Sequence, residues 1–251
     1  MCTFLILRRP GHAWPVLIAA NRDEMAGRPW LPPGRHWPDR AEVVAGRDVL
    51  AGGSWLGLND HGMAAAILNR VGTLGPAAGK RSRGELVLEA LDHADAADAA
   101  AALSGLDGRA YRPFNLVIAD NRDAFWIRAD GGARVTAAPV PAGLHMLTAL
   151  DLDDPASARV AAYLPRFAAA RVPDPAAADW AEWAALMADG GPAASDGGEE
   201  KAAMCFTRAD GFGTVSSSLI ALPAPGPDSA PTWLFAAARP DRASHAPVAL
   251  Q

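Results

Sequence analysis

An α+β fold, with two mainly antiparallel sheets layered between helix pairs as an α/β/β/α sandwich, is what three features of this sequence predict. Short apolar runs of strand length recur between turn signals. Two helical stretches follow the first strands and two more follow the next group. The strands are apolar on both faces, so both sides of each sheet need cover. The resulting order of strands, two helices, strands, two helices, strands gives each sheet one helix pair for its outer face. With 251 residues, 50% of them hydrophobic and 20% charged, the chain can bury such a core. No repeat or linker marks a boundary, so residues 1–251 read as one domain.

Taken in order, residues 2–7 form the first strand, Arg9-Pro10-Gly11-His12 a turn, and residues 15–20 a second strand that closes a hairpin. Residues 28–39 hold four prolines and two tryptophans and read as an ordered loop, because proline removes backbone donors. Trp30 and Trp37 there point to an apolar or acyl group near a cleft, or simply pack the loop. Residues 53–58 and 63–68 flank Asn59-Asp60-His61-Gly62, a tight-turn composition, and give a second hairpin. Ser82-Arg83-Gly84-Glu85 fits a capping box, followed by the stripe Leu86, Val87, Ala90 and Leu91; residues 95–103 read as the next helix. Strands at 114–119, 124–128, 133–138 and 144–150 suggest a meander. Asp154-Pro155 and Asp174-Pro175 each pair an N-cap with proline at the first helical position, so two helices follow. In the second, Trp180, Trp183, Leu186 and Met187 share a core-facing stripe. The Gly-rich acidic tract 190–200 reads as a mobile loop, and strands at 215–222 and 232–238 end the pattern.

A net charge of -5 without a basic stripe excludes nucleic acid as a partner. The opening apolar run is too short for a signal-peptide core or a membrane span, so a cytoplasmic protein is expected. Only Cys2 and Cys205 occur, which builds neither a disulfide framework nor a CxxC site and suits a reducing compartment. The six histidines show no metal-ligand spacing; no metal and no cofactor are predicted.

Cys2 carries the strongest chemical signal. If Met1 is removed, one residue bears both a thiol and a free α-amine, a nucleophile with its base attached. The alternative is an apolar filler opening a buried strand. Asn21-Arg22-Asp23-Glu24 follows the second strand directly. There Asp23 is placed to hold the Cys2 amine and Arg22 to stabilise a thiolate by charge, unless the four are a surface turn. Asn69, at the end of a strand, is a candidate oxyanion donor or a turn former. Asn115, polar within an apolar run, faces a cleft or is a satisfied core amide. Cys205 lies in an apolar context and reads as an inert buried thiol.

The opening Met1-Cys2-Thr3, the tetrapeptide Asn21-Arg22-Asp23-Glu24, the segment Gly52-Gly53-Ser54-Trp55-Leu56-Gly57 and the helix start Ser82-Arg83-Gly84-Glu85-Leu86 together resemble the NRDE family, also called the Transport and Golgi organization 2 family. That resemblance implies an N-terminal nucleophile hydrolase fold. More distantly, Cys2-Thr3, Asp23 and the hairpin leading to Leu68-Asn69 are similar to the bile salt hydrolase and penicillin V acylase family. This second likeness implies Cys2 as nucleophile, Asp23 as the carboxylate orienting the α-amine and Asn69 as oxyanion donor, with Arg22 beside them. Asn21, Glu24, Trp30, Trp55 and Asn115 are then the candidate substrate contacts. The reaction implied is hydrolysis of an amide or thioester of a small molecule. The NRDE resemblance also implies an alternative, a non-catalytic carrier of haem or an acyl-CoA-like lipid. Three positions depart from these patterns: Ala19 or Ala20 stands where the amidases have arginine, Ala149 follows Leu147-Thr148 in place of asparagine, and Val215 follows Gly213-Thr214 in place of arginine.

Overall fold

The computed structural model describes residues 2–191, 202–226 and 230–250. The chain divides into two compact units, each assembled from separate stretches of sequence. The first comprises Met1–Arg28, Ala142–Ala221 and Pro231–Val248; the second comprises Pro29–Pro141, Leu222–Ala230 and Ala249–Gln251.

The first unit is built on β1 (Thr3–Arg8) and β2 (Val16–Met25), which pair antiparallel from Thr3 opposite Asn21 to Arg8 opposite Val16. Its sheet is completed by β10 (Gly143–Leu147), β11 (Phe212–Leu222), β12 (Thr232–Ala236) and β13 (Ala246–Pro247), in the order β10-β1-β2-β11-β12-β13. The helices α3 (Ala158–Ala169) and α4 (Ala181–Met187) pack against one face. Val160, Tyr163, Phe167, Trp183 and Met187 there join Leu5, Leu17, Ala19 and Leu219 in one apolar cluster. The tryptophan stripe is thus core, as its spacing indicated. Leu5 and Ile6 point to opposite faces of β1 and both are fully buried, which is why this strand is a continuous apolar run rather than an alternating one.

The second unit carries β3 (Trp30–Gly34), β4 (Val43–Asp48), β5 (Leu56–Asn59), β6 (Ala64–Asn69), β7 (Phe114–Ala119), β8 (Ala124–Ala129) and β9 (Val135–Pro139), a seven-stranded sheet in sequence order with every pairing antiparallel. Helices α1 (Glu85–Leu91) and α2 (Ala96–Ser104) cover one face, where Leu86, Ala90 and Ala99 meet Ala65, Leu116 and Ile127. Among the described residues no helix is long and apolar enough to cross a membrane.

Several elements differ from the sequence expectation, each for a local reason. β2 does not stop at residue 20; it runs on through the polar tetrapeptide to Met25. Residues 30–34 are an edge strand rather than a loop, since prolines are tolerated at an edge, where their missing donors cost no ladder bond. β4 goes unannounced by turn signals. The expected four-strand meander holds for β7, β8 and β9 only, because β10 leaves it to pair with β1. The capping box at Ser82 is not formed: its hydroxyl accepts from the Gly84 amide at 3.3 Å while Glu85 binds Arg81 at 2.9 Å, and α1 begins at Glu85. Asp154 and Asp174 accept from amides two residues on, making turns, and the helices start later, with Ser157 as the N-cap of α3 and Trp180 preceding α4. Of the tract 190–200, residues 192–200 lie outside the described residues.

The Gly53 and Gly84 segments touch. A Cβ on Gly53 would lie 2.4 Å from the Gly84 carbonyl carbon, and the Ser54 amide donates to the Gly84 carbonyl at 3.0 Å. Gly53→Ala is expected to destabilise the protein by about 1–3 kcal/mol, because the obstructing atoms are backbone and move only with their neighbours. Urea unfolding checks this; an unchanged midpoint would show that the contact yields freely.

Candidate active site

The candidate site in the first unit starts from the β1–β2 register. Cys2 sits just before the Thr3–Asn21 pair and is half-buried, its Sγ 3.7 Å from the main-chain oxygen of Asp23, to which the thiol donates. Alternation sends the side chains of Leu17, Ala19, Asn21 and Asp23 to the helix-covered face, since Leu17 and Ala19 belong to its core. Polar groups carried into that layer need partners. Asn21 finds them at the main-chain oxygens of Met187 and Met204, each 2.9 Å from its amide nitrogen, so this side chain ties β2 to the end of α4 and the segment beyond.

Asp23 is held in a network of side chains. Its Oδ2 accepts from Nη1 of Arg159 at 3.0 Å and its Oδ1 from the Thr214 hydroxyl at 2.8 Å; the same Nη1 donates to the Thr3 hydroxyl at 2.5 Å. Arg159 also lies over the Phe206 ring, 5.4 Å from its centroid. Thr3, Asp23, Arg159 and Thr214 are all buried. A carboxylate and guanidinium taken out of water this completely need mutual neutralisation and further hydrogen bonds, and both are present. Asp23 therefore acts through two groups. Its carboxylate anchors the end of β2 to α3 and β11, and its main-chain oxygen meets the Cys2 thiol.

Electrostatically the thiol is kept neutral. Burial pushes the Cys2 pKa up, the Asp23 charge adds to this, and the positive charge of Arg22 works against it. Arg22 is buried in β2, not in a surface turn. Glu24 accepts from the Met25 amide at 2.8 Å and lies 3.7 Å from Arg28, at the end of the strand.

Arg159 and Thr214 were not singled out from the sequence. The signal for the first was present: Arg159, Tyr163 and Phe167 recur at four-residue spacing, which puts a cation on the apolar stripe of α3. Thr214 stands in the Gly213-Thr214 pair whose next residue, Val215, departs from the family pattern.

The remaining candidates belong to the second unit. Asn69 ends β6 opposite Phe114. Asn115 is fully buried, and its Oδ1 accepts from Arg70 at 2.8 Å and from the Trp126 indole at 3.1 Å, which makes it a satisfied core amide. Trp30 and Trp55 meet edge to face, ring centroids 5.7 Å apart, and the Trp55 ring fills the space a side chain at residue 46 would need. Elsewhere in the first unit Cys205 is buried, donates to Asp241 at 3.4 Å and has its pKa pushed up to about 11 by that burial. No group of three or more metal-ligating side chains occurs among the described residues.

Solved structures share this fold. The Caenorhabditis elegans ortholog of N-acylethanolamine-hydrolyzing acid amidase matches with a TM-score of 0.57 at 13% identity, over 91% of this chain and 95% of that one. Penicillin V acylase from Agrobacterium tumefaciens gives 0.51 at 14% identity, over 94% and 83%. A variant of the conjugated bile acid hydrolase from Clostridium perfringens gives 0.51 at 12%, over 98% and 96%. The fold is accordingly that of the N-terminal nucleophile hydrolases.

By sequence the chain belongs to the Transport and Golgi organisation 2 family, whose sequence model matches residues 1–171. It is 34% identical over 114 residues to the Bos taurus protein named Transport and Golgi organization protein 2 homolog, and 33% identical over 114 residues to its Homo sapiens counterpart. Each match covers 43% of this chain and 40% of the relative's length.

Proposed function

We propose that this protein is an N-terminal cysteine hydrolase that cleaves an amide or thioester of a small molecule, with Cys2 as nucleophile after loss of Met1. The observation that carries this reading is the Cys2 thiol seated on the Asp23 main chain, with the Asp23 carboxylate locked by Arg159 and Thr214. A carrier needs a pocket but has no use for a thiol so placed. Because burial keeps the thiol neutral, it needs a base, and the α-amine of the same residue supplies one.

In the amide reaction, Sγ attacks the acyl carbon as the amine takes the thiol proton. The C–N bond then breaks, its nitrogen leaving with that proton, and the acyl group remains on Sγ as a thioester. Water, deprotonated by the same amine, attacks the thioester; the C–S bond breaks, and the carboxylic acid departs as the thiol is restored. Arg22 offsets the negative charge near the thiol. The oxyanion role of Asn69 rests on the amidase resemblance alone.

Intact mass of the purified protein is expected to lack one methionine, and retention of Met1 would remove the base and overturn the reading. With iodoacetamide near neutral pH, Cys2 is expected to be alkylated well before Cys205, whose thiol is buried and shifted to about 11. Peptide mapping at short times checks the order; equal labelling contradicts an activated Cys2.

A further inference from the structure

The first unit also carries a cleft of about 670 Å³ that the chemistry of Cys2 does not use. One wall is α4, where Ala181, Ala184, Ala185 and Ala188 recur at helical spacing on one face. Such short side chains leave space beside the helix, over a length of about 10 Å at 1.5 Å per residue. Trp180 and Leu219 contribute apolar surface, and the facing wall is the segment 240–245. A volume of this size lies within the range of small-molecule sites, roughly 300–1,000 Å³.

The charges on the lining decide what could enter. Both carboxylates are already neutralised: Asp179 pairs with Arg171 at 2.9 Å and Asp241 with Arg239 at 2.7 Å, and neither arginine lines the cleft. Burial of the His245 imidazole lowers its pKa to about 4, so the ring is uncharged near neutral pH. Arg242 lines the same wall, is exposed, and makes no side-chain hydrogen bond or ion pair among the described residues. The exposed hydroxyl of Ser244 stands two residues on. Asp241 feels the charge of Arg242 but its carboxylate is bonded to Arg239, so Arg242 is a cation without a contact partner among the described residues, and with the Ser244 hydroxyl on a cleft that also has an apolar wall it suits a single negative charge on an apolar body. A cation finds no open carboxylate, and a doubly charged phosphate finds only one positive partner among two paired aspartates.

We propose that this cleft is a second ligand site, separate from Cys2, that takes a monoanionic amphiphile, its carboxylate on Arg242 and Ser244 and its alkyl chain along the alanine face of α4. The all-trans chain of octanoate is about as long as that face, which makes octanoate a suitable probe.

Calorimetric titration of the full chain with octanoate is expected to show one saturable site, retained in Cys2→Ala. Arg242→Glu, at an exposed position, is expected to weaken binding about tenfold or more by reversing the charge that the head group meets. Ala185→Phe fills the cleft from an exposed helix position and is expected to do the same without altering the head-group contacts. Octylamine, with the same chain and the opposite charge, should bind about tenfold more weakly than octanoate. Absence of saturable binding, octanoate affinity unchanged in both cleft variants, or equal binding of octylamine would each overturn the proposal. Loss of binding in Cys2→Ala alone would place the ligand at Cys2 and overturn it as well.

Discussion

Cys2→Ala is expected to abolish turnover of any amide or thioester the protein hydrolyses, by about 10³-fold or more, while leaving the fold intact. Both expectations follow from where the side chain lies. Cys2 precedes β1 and is half-buried, and its thiol makes only a long hydrogen bond, from Sγ to the Asp23 main chain, among the described residues, so truncation opens little space and leaves no buried charge exposed. The Asp23–Arg159–Thr214 network does not pass through the thiol and stays closed. Screening a panel of acyl amides and thioesters with wild type and Cys2→Ala in parallel, with urea unfolding of both, checks the pair of outcomes. Equal activity in the two proteins would remove Cys2 from the chemistry. The pH profile carries a second signature. A neutral buried thiol acting without a base would gain reactivity only above the ordinary thiol range, since its pKa is raised. With the α-amine as base, the acylation rate levels off once that amine is neutral, near its usual pKa of about 7.7–8.0.

The apolar part of this fold was legible in the sequence because its signals are local. β1, β7 and the β5–β6 hairpin follow from the length of continuous apolar runs and a four-residue turn, and the Trp183–Met187 stripe follows from helical spacing. The polar part was half legible. Asn21-Arg22-Asp23-Glu24 resembles a turn by composition, yet its first three residues are buried in a strand, because the groups that bond the Asn21 amide nitrogen and the Asp23 carboxylate lie 136 to 191 residues away in sequence. No local rule carries that distance. The same holds for β10, which lies in the middle of the chain while its partner β1 opens it. The motif glycines had a plainer meaning than their setting suggested: Gly53 and Gly84 let two backbone segments touch.

Arg159→Met should cost about 3–5 kcal/mol, the largest stability loss predicted for a single substitution in this protein. The substitution keeps much of the side chain's bulk beside Phe206 but removes the guanidinium that faces the Asp23 carboxylate at 3.0 Å, so a buried negative charge loses its counter-ion. Asp23→Asn in the same chain should recover a large part of the loss, because an amide at that position carries no charge to neutralise and still accepts from Thr214. Asp23→Asn alone strands the opposite charge, on Arg159, and should also be destabilising. The double-mutant cycle in urea therefore predicts strong coupling between the two positions, and additive losses would show that the pair is held by packing instead. Alkylation of Cys2 gives a readout that global stability does not. If the carboxylate fixes the main-chain oxygen that holds the thiol, Arg159→Met should change the rate and pH dependence of Cys2 labelling under conditions where the variant is still fully folded, whereas Cys205, bonded to Asp241, should keep its own. Arg159 would then be a positioning residue, acting on the nucleophile through Asp23 from a helix that begins 156 residues after Cys2 in the sequence.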